Sequence, residues 1–164
     1  MGGAIDFLAE RGLADDGVNL LGYSMGAATA LLAAEDEPLV RAVAIDSSYA
    51  DVESVVDFQL AHSELWLRGF KPGALLMSRI LLGVDPYGIR PIDAVPALAE
   101  RGAPLFIIHG EGDTVIPFEH GRQIAVRFGP TAQTYFPPGI DHLRAYESDP
   151  DGYALRLVEF FTRR

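Results

Sequence analysis

Val18-Asn19-Leu20-Leu21-Gly22-Tyr23-Ser24-Met25-Gly26-Ala27-Ala28-Thr29-Ala30-Leu31-Leu32-Ala33-Ala34 decides the fold. An apolar run ends in Gly22-Tyr23-Ser24-Met25-Gly26, and an alanine-rich run follows at once. These pieces read as a strand, a tight turn and a helix, with a hydroxyl at the apex. Glycine on both sides of the serine suits a turn whose central residue is strained and whose neighbouring β-carbons would collide with strand or helix. Such a turn lifts the Ser24 Oγ out of the fold and aims the first N–H groups of the next helix at whatever the oxygen attacks. The pentapeptide gains meaning if an acid and a histidine follow it in order.

Working outward, the chain alternates helices with short apolar strands, the pattern of an α/β fold with a mostly parallel sheet. Ile5, Leu8 and Ala9 share a helical face before Gly12. Val18 to Tyr23 is the first strand, and the helix after Ser24 runs to about Asp36. Val40 to Ile45 is a second strand, apolar enough for burial on both faces, and Asp46-Ser47-Ser48 closes it. From Asp51 the period turns helical, with Val52, Val55, Val56 and Leu60 on one side. Pro72 opens and Gly83 closes a second helix there. Trp66, Phe70, Leu75, Leu76, Met77, Ile80 and Leu81 are more large apolar side chains than a surface connection needs. Asp85 to Pro96 is turn-rich. Pro104 to His109 is the third strand, Phe118 to Phe128 a helix, and Gln133 to Phe136 a short fourth strand. Asp151 to Phe161 reads as a closing helix with Leu155, Val158 and Phe161 inward. At 164 residues, 49% hydrophobic and 22% charged, the chain suits one domain, residues 1–164, without repeats or linkers.

Charge narrows the partners. A net charge of -10 and a pI near 4.7 oppose binding to nucleic acid or to an anionic membrane surface, which both need basic patches. The absence of cysteine rules out a disulfide, a cysteine nucleophile and a thiolate metal site, and fits a reducing, cytoplasmic location. Asp6, Glu10, Arg11, Asp15 and Asp16 break up the first residues, so no secretory signal is expected. The least charged segment, Val18 to Ala34, falls short of the ~20 residues of a membrane span.

The acid and the histidine are both present. At the end of the third strand stands His109-Gly110-Glu111-Gly112-Asp113-Thr114-Val115-Ile116-Pro117. Parallel sheets gather their chemistry at the carboxyl ends of strands, where loops face a shared crevice. Glycines at 110 and 112 permit a sharp bend, and Asp113 either points back toward the serine's turn or caps the helix near Pro117. After the fourth strand comes Gly139-Ile140-Asp141-His142, again a loop at a carboxyl end. His62 and His120 lie in helical stretches and read as surface or hydrogen-bonded groups, while His109 ends its strand as support. His142 completes the order serine, acid, histidine, with successive separations of 89 and 29 residues.

On these motifs the chain resembles the carboxyl-terminal two-thirds or so of an α/β-hydrolase, of the serine esterase and aminopeptidase-like branch. The resemblance implies a three-layer αβα fold with a mostly parallel sheet, truncated at its N-terminus and carrying a small helical insertion. It implies Ser24 as nucleophile, Asp113 as the acid, His142 as the base, and the Met25 N–H as an oxyanion donor. It makes residues 51–82 a cap-like segment over an acyl pocket, with Phe58, Trp66 and Met77 as candidate lining or as core. Carboxylic ester hydrolysis on a small-molecule substrate, without metal or cofactor, is the implied activity.

A complete member has strands before the elbow, including a loop that gives a second oxyanion donor, often His-Gly. This chain has neither. The elbow strand should then lack one neighbour and leave an apolar edge, and three explanations stand: the chain is a fragment of a larger gene, a partner chain supplies the missing strands, or two copies pair there. The alternative to an active esterase is an inactive or weakly active remnant, or a subunit that needs a partner for the missing strands and loop.

Overall fold

The computed structural model describes residues 2–62, 73, 77, 80–81, 83 and 85–162. A four-stranded parallel sheet, in spatial order β1-β2-β3-β4, is formed by Val18–Tyr23, Val40–Asp46, Leu105–Ile108 and Gln133–Tyr135. Seven α-helices with described bounds surround it: α1 Gly2–Ala9, α2 Met25–Asp36, α3 Val52–Ala61, α4 Val95–Glu100, α5 Glu119–Phe128, α6 Ala145–Ser148 and α7 Pro150–Thr162.

Alternation along β2 and β3 explains the layers, because successive side chains of a strand point to opposite faces. Val43, Ile45, Leu105 and Ile107 pack on Ala27, Ala30, Leu31 and Ala34 of α2, Leu98 of α4 and Ile124 of α5. Ala42, Ala44, Phe106 and Ile108 face the other way, against Ala145, Tyr153 and Phe160. The alanines of α2 let its backbone lie close on β1 and β2, and Ala27 and Ala30 are wholly buried. Both faces of β2 are covered apart from the exposed Arg41, as its apolar run requires.

Register turns this architecture into a site. Tyr23 lies opposite Asp46, Asp46 opposite Ile108, and Ile108 opposite Tyr135. All four strands therefore end in one row, and the loops beginning at Ser24, Ser47, His109 and Phe136 emerge side by side. Among the described residues β1 pairs only with β2, so the elbow strand is an edge, with Leu21 and Tyr23 exposed.

The closing helix differs from the sequence expectation in phase. Leu155 and Val158 are exposed, while Tyr153 and Phe160 are buried and Leu157 and Phe161 are half-buried. Two apolar stripes compete along α7, and the aromatic one wins. Phe160 packs against Phe106 at 5.5 Å, and the Tyr153 hydroxyl donates to Asp46 Oδ2 at 2.9 Å beneath the sheet's end. Burial raises the Asp46 carboxyl despite hydrogen bonds from Tyr153 and Ser47, and burial next to Asp46 raises the Tyr153 hydroxyl. Tyr153→Phe leaves Asp46 short of a donor and is expected to cost about 1–3 kcal/mol in urea unfolding. Ala9 is likewise exposed, and Ile5 alone on α1 is fully buried.

In α3, Val52, Val55, Val56 and Leu60 are half-buried, while Glu53, Ser54, Asp57 and Gln59 face out. The Asp51 carboxylate caps the helix by accepting from the Ser54 N–H at 2.8 Å. Most of the second expected helix, including Pro72, Leu75 and Leu76, lies outside the described residues, as do Trp66 and Phe70 before it. Met77, Ile80 and Leu81 are helical and exposed. Among the described residues no helix is long and apolar enough to cross a membrane.

Candidate active site

Ser24 stands between β1 and α2 with φ 51° and ψ -119°, a conformation that side chains rarely adopt. Serine at a helix N-cap normally turns its oxygen onto the first N–H groups. Here it makes no such bond; Oγ lies 3.1 Å from His142 Nε2 instead. The Ser24 carbonyl accepts from the N–H groups of Ala27 and Ala28, and the Ser24 N–H is held by the Asp46 carbonyl at 2.9 Å. Met25 and Gly26 precede the first intrahelical donors, so their N–H groups point outward from the positive end of a twelve-residue helix.

The glycines of the elbow differ in their reasons. A β-carbon on Gly22 would lie 2.5 Å from Ala27 Cα and from the Gly26 carbonyl oxygen, so only hydrogen fits there. A β-carbon on Gly26 would meet nothing within 4 Å. The expected collision on both sides therefore holds on the strand side alone.

Asp113 points inward and braces its own turn rather than capping the following helix, since α5 is preceded by Phe118 and has no side-chain cap bond. Its Oδ1 accepts from the N–H groups of Val115 and Ile116 at 2.9 and 2.8 Å, which fixes the turn. Its Oδ2 is 2.7 Å from His142 Nδ1. Burial alone would push this carboxyl up, but bonds from His109, the Ile116 N–H, His142 and the Val115 N–H bring it down to about 2. An ionised carboxylate only accepts, so His142 must carry its proton on Nδ1 and present the Nε2 lone pair to the Ser24 hydroxyl. The result is a continuous chain from carboxylate to ring to hydroxyl.

His109 matters more here than its sequence position suggested. It is wholly buried, its Nε2–H donates to the Ile116 carbonyl at 2.9 Å, and Asp113 Oδ2 is 3.4 Å away. The acid thus has a histidine on either side. His120 is buried and accepts the Ala50 N–H on Nδ1 at 3.2 Å, its pKa lowered by burial. His62 sits exposed at the end of α3, bonded to the Phe58 carbonyl at 2.8 Å. Neither belongs to the site. Ser47 was missed from sequence: it follows β2 at φ 54°, donates to Asp46 Oδ1 at 3.0 Å and accepts the Leu143 N–H at 3.3 Å. Ser24, Ser47 and Leu143 are the non-glycine residues with positive φ among those described. All three lie in this cluster of loops, where such strain of about 1–3 kcal/mol per residue tends to gather.

The loops carrying Asp113 and His142 are packed backbone on backbone. Gly112 N–H donates to the Ile140 carbonyl and Glu111 N–H to the Pro137 carbonyl, each at 3.0 Å. A β-carbon on Gly110 would stand 2.1 Å from the Ile140 oxygen, and one on Gly112 2.9 Å from the Gly139 carbonyl carbon. Close approach, rather than a left-handed bend, explains these two glycines. Gly110→Ala is expected to cost about 1–3 kcal/mol by overpacking, read as a lowered urea midpoint. Among the described residues no cluster of His, Asp and Glu could hold a metal ion.

Comparison with solved structures establishes the class: the chain has the α/β-hydrolase fold. An esterase of Pyrococcus furiosus matches it with TM-score 0.73 and 20% identity, over 98% of this chain and 59% of that one. An α/β-hydrolase from the metagenome of sediments of the Mar Chica lagoon, Morocco, matches with TM-score 0.63 and 25% identity, over 95% of this chain and 65% of that one. An acylaminoacyl peptidase matches with TM-score 0.67 and 18% identity, over 97% of this chain and 26% of that one. The chain spans about three fifths of the Pyrococcus esterase. No protein-family model and no curated protein matches it.

Proposed function

We propose that this protein is a serine hydrolase that cleaves carboxylic esters, with Ser24 as nucleophile, His142 as base and Asp113 as the acid that orients it. The hydrogen-bonded run from Asp113 Oδ2 through His142 to Ser24 Oγ, 2.7 and 3.1 Å, carries this reading. As Ser24 Oγ attacks the ester carbonyl carbon, its proton passes to His142 Nε2. The carbonyl oxygen becomes an oxyanion, to which the Met25 N–H donates; one such donor is worth ~10²- to 10³-fold in rate. His142 then protonates the departing alcohol, leaving the acyl group on Ser24. Water, deprotonated by His142, attacks the acyl carbon, and the acid leaves with Ser24 Oγ reprotonated. The scheme uses no cofactor.

Met25, Val115 and Leu143, each within two residues of a reacting or orienting group, are exposed and apolar, which suits the hydrocarbon part of a small-molecule ester. Gln59 Nε2 donates to the Val115 carbonyl, so α3 leans on the loop of Asp113. That contact supports α3 as the start of a cap-like segment. The test is a fluorophosphonate probe followed by intact mass, alongside p-nitrophenyl esters of increasing acyl length. A single adduct and turnover of the esters are expected; folded protein that takes up no probe and turns over no ester would reject the reading in favour of an inactive remnant.

A further inference from the structure

Asp141, immediately before His142, has no place in the scheme above, yet its carboxylate joins the loop of the base to the loop of the acid. A single oxygen, Oδ1, accepts three hydrogen bonds: from the Thr114 N–H at 2.8 Å, the Thr114 hydroxyl at 2.9 Å and the His142 N–H at 2.8 Å. Thr114 directly follows Asp113, and the two loops leave different strands, β3 and β4. Their tips therefore need a tie of their own for Asp113 Oδ2 to stay 2.7 Å from His142 Nδ1. Main-chain bonds from Glu111 and Gly112 join the loops further back, but Asp141 is the side chain that reaches from the residue before the base to the residue after the acid.

We infer that Asp141 is a positioning residue, which holds His142 in register with Asp113 by gathering donors from both loops onto one acceptor. The inference rests on the proposed roles of Asp113 and His142. Its chemistry is specific: the bonds use one oxygen, so an amide oxygen in the same place serves as acceptor. The three donors also lower the Asp141 carboxyl, the Thr114 N–H foremost, then the His142 N–H and the Thr114 hydroxyl, so the group accepts throughout the neutral range.

The test compares Asp141→Ala, Asp141→Asn and Thr114→Ala with the unaltered chain. Proton NMR reads the far-downfield resonance of the His142 Nδ1 proton bonded to Asp113, which is present whether or not the protein turns over an ester. Asp141→Ala is expected to broaden or shift that signal upfield and to lower kcat by about 10²-fold at little-changed KM, as small displacements of a catalytic group do. Asp141→Asn should restore both, and Thr114→Ala should fall between. Retention of the signal and of kcat in folded Asp141→Ala would overturn the inference, as would Asp141→Asn failing as completely as alanine. Should Asp141→Ala not fold, the Asn and Thr114→Ala pair decides the matter by the same two readings. A chain that shows the resonance but takes no fluorophosphonate would count against the proposed hydrolase activity and leave the Asp141 comparison readable by NMR.

Discussion

Ser24→Ala is expected to abolish fluorophosphonate labelling and to lower kcat on a reactive ester by about 10⁶-fold, the scale seen when a nucleophile that works with its base is removed. The physical reason is that the other groups have nothing to act upon: His142 Nε2 loses the hydroxyl 3.1 Å away, and no other hydroxyl is placed between β1 and α2. Stability should hardly fall. Ser24 makes no side-chain cap bond to α2, so its hydroxyl contributes nothing to the helix that alanine would lose. Intact mass and steady-state rates, with urea unfolding as the control, check both halves. Labelling that persists in the alanine protein would place the nucleophile elsewhere.

Asp113→Asn is the second large effect, about 10⁴-fold in kcat. An amide can donate to His142 Nδ1, which would drive the ring proton to Nε2, where it cannot receive the Ser24 proton. The same substitution has a signature in acid. The Asp113 carboxyl is lowered from 3.8 to about 2 in the folded chain, so it favours the folded state once ionised. Its contribution, about 2 kcal/mol from a shift of this size, is fully present above the unfolded value and is lost as pH falls through the folded one. Urea unfolding of the natural chain should therefore weaken from about pH 4 to pH 2 by roughly this amount more than Asp113→Asn, which cannot titrate there. Equal pH slopes in the two proteins would show that the carboxylate is not held as the hydrogen bonds indicate.

Much of the site was legible because each part is announced by local backbone chemistry. Gly22 is needed where strand meets helix, Gly110 and Gly112 precede Asp113 where two loops touch, and Gly139 adopts φ 67° before His142. Such residues leave a mark within five or ten positions. What could not be read depends on contacts across the sheet. His109 looked like a strand end because its partner Ile116 comes from a turn that Asp113 holds through the Val115 and Ile116 N–H groups. Nothing local to Asp141 sets it apart, since Thr114 lies 27 residues earlier in the chain. The face of α7 was misread because Leu155 and Val158 are as apolar as a core stripe, while the groups that turn the helix, Asp46 under Tyr153 and Phe106 against Phe160, lie far earlier in the chain.

The sequence by itself determined the alternation of strands and helices, the elbow at Ser24, and the order of serine, acid and histidine, because turns and periodicity are properties of neighbouring residues. The tertiary structure decided that those three groups touch. It did so through the parallel register that ends β1, β2, β3 and β4 in one row, so that loops distant along the chain leave the sheet within hydrogen-bonding reach of one another.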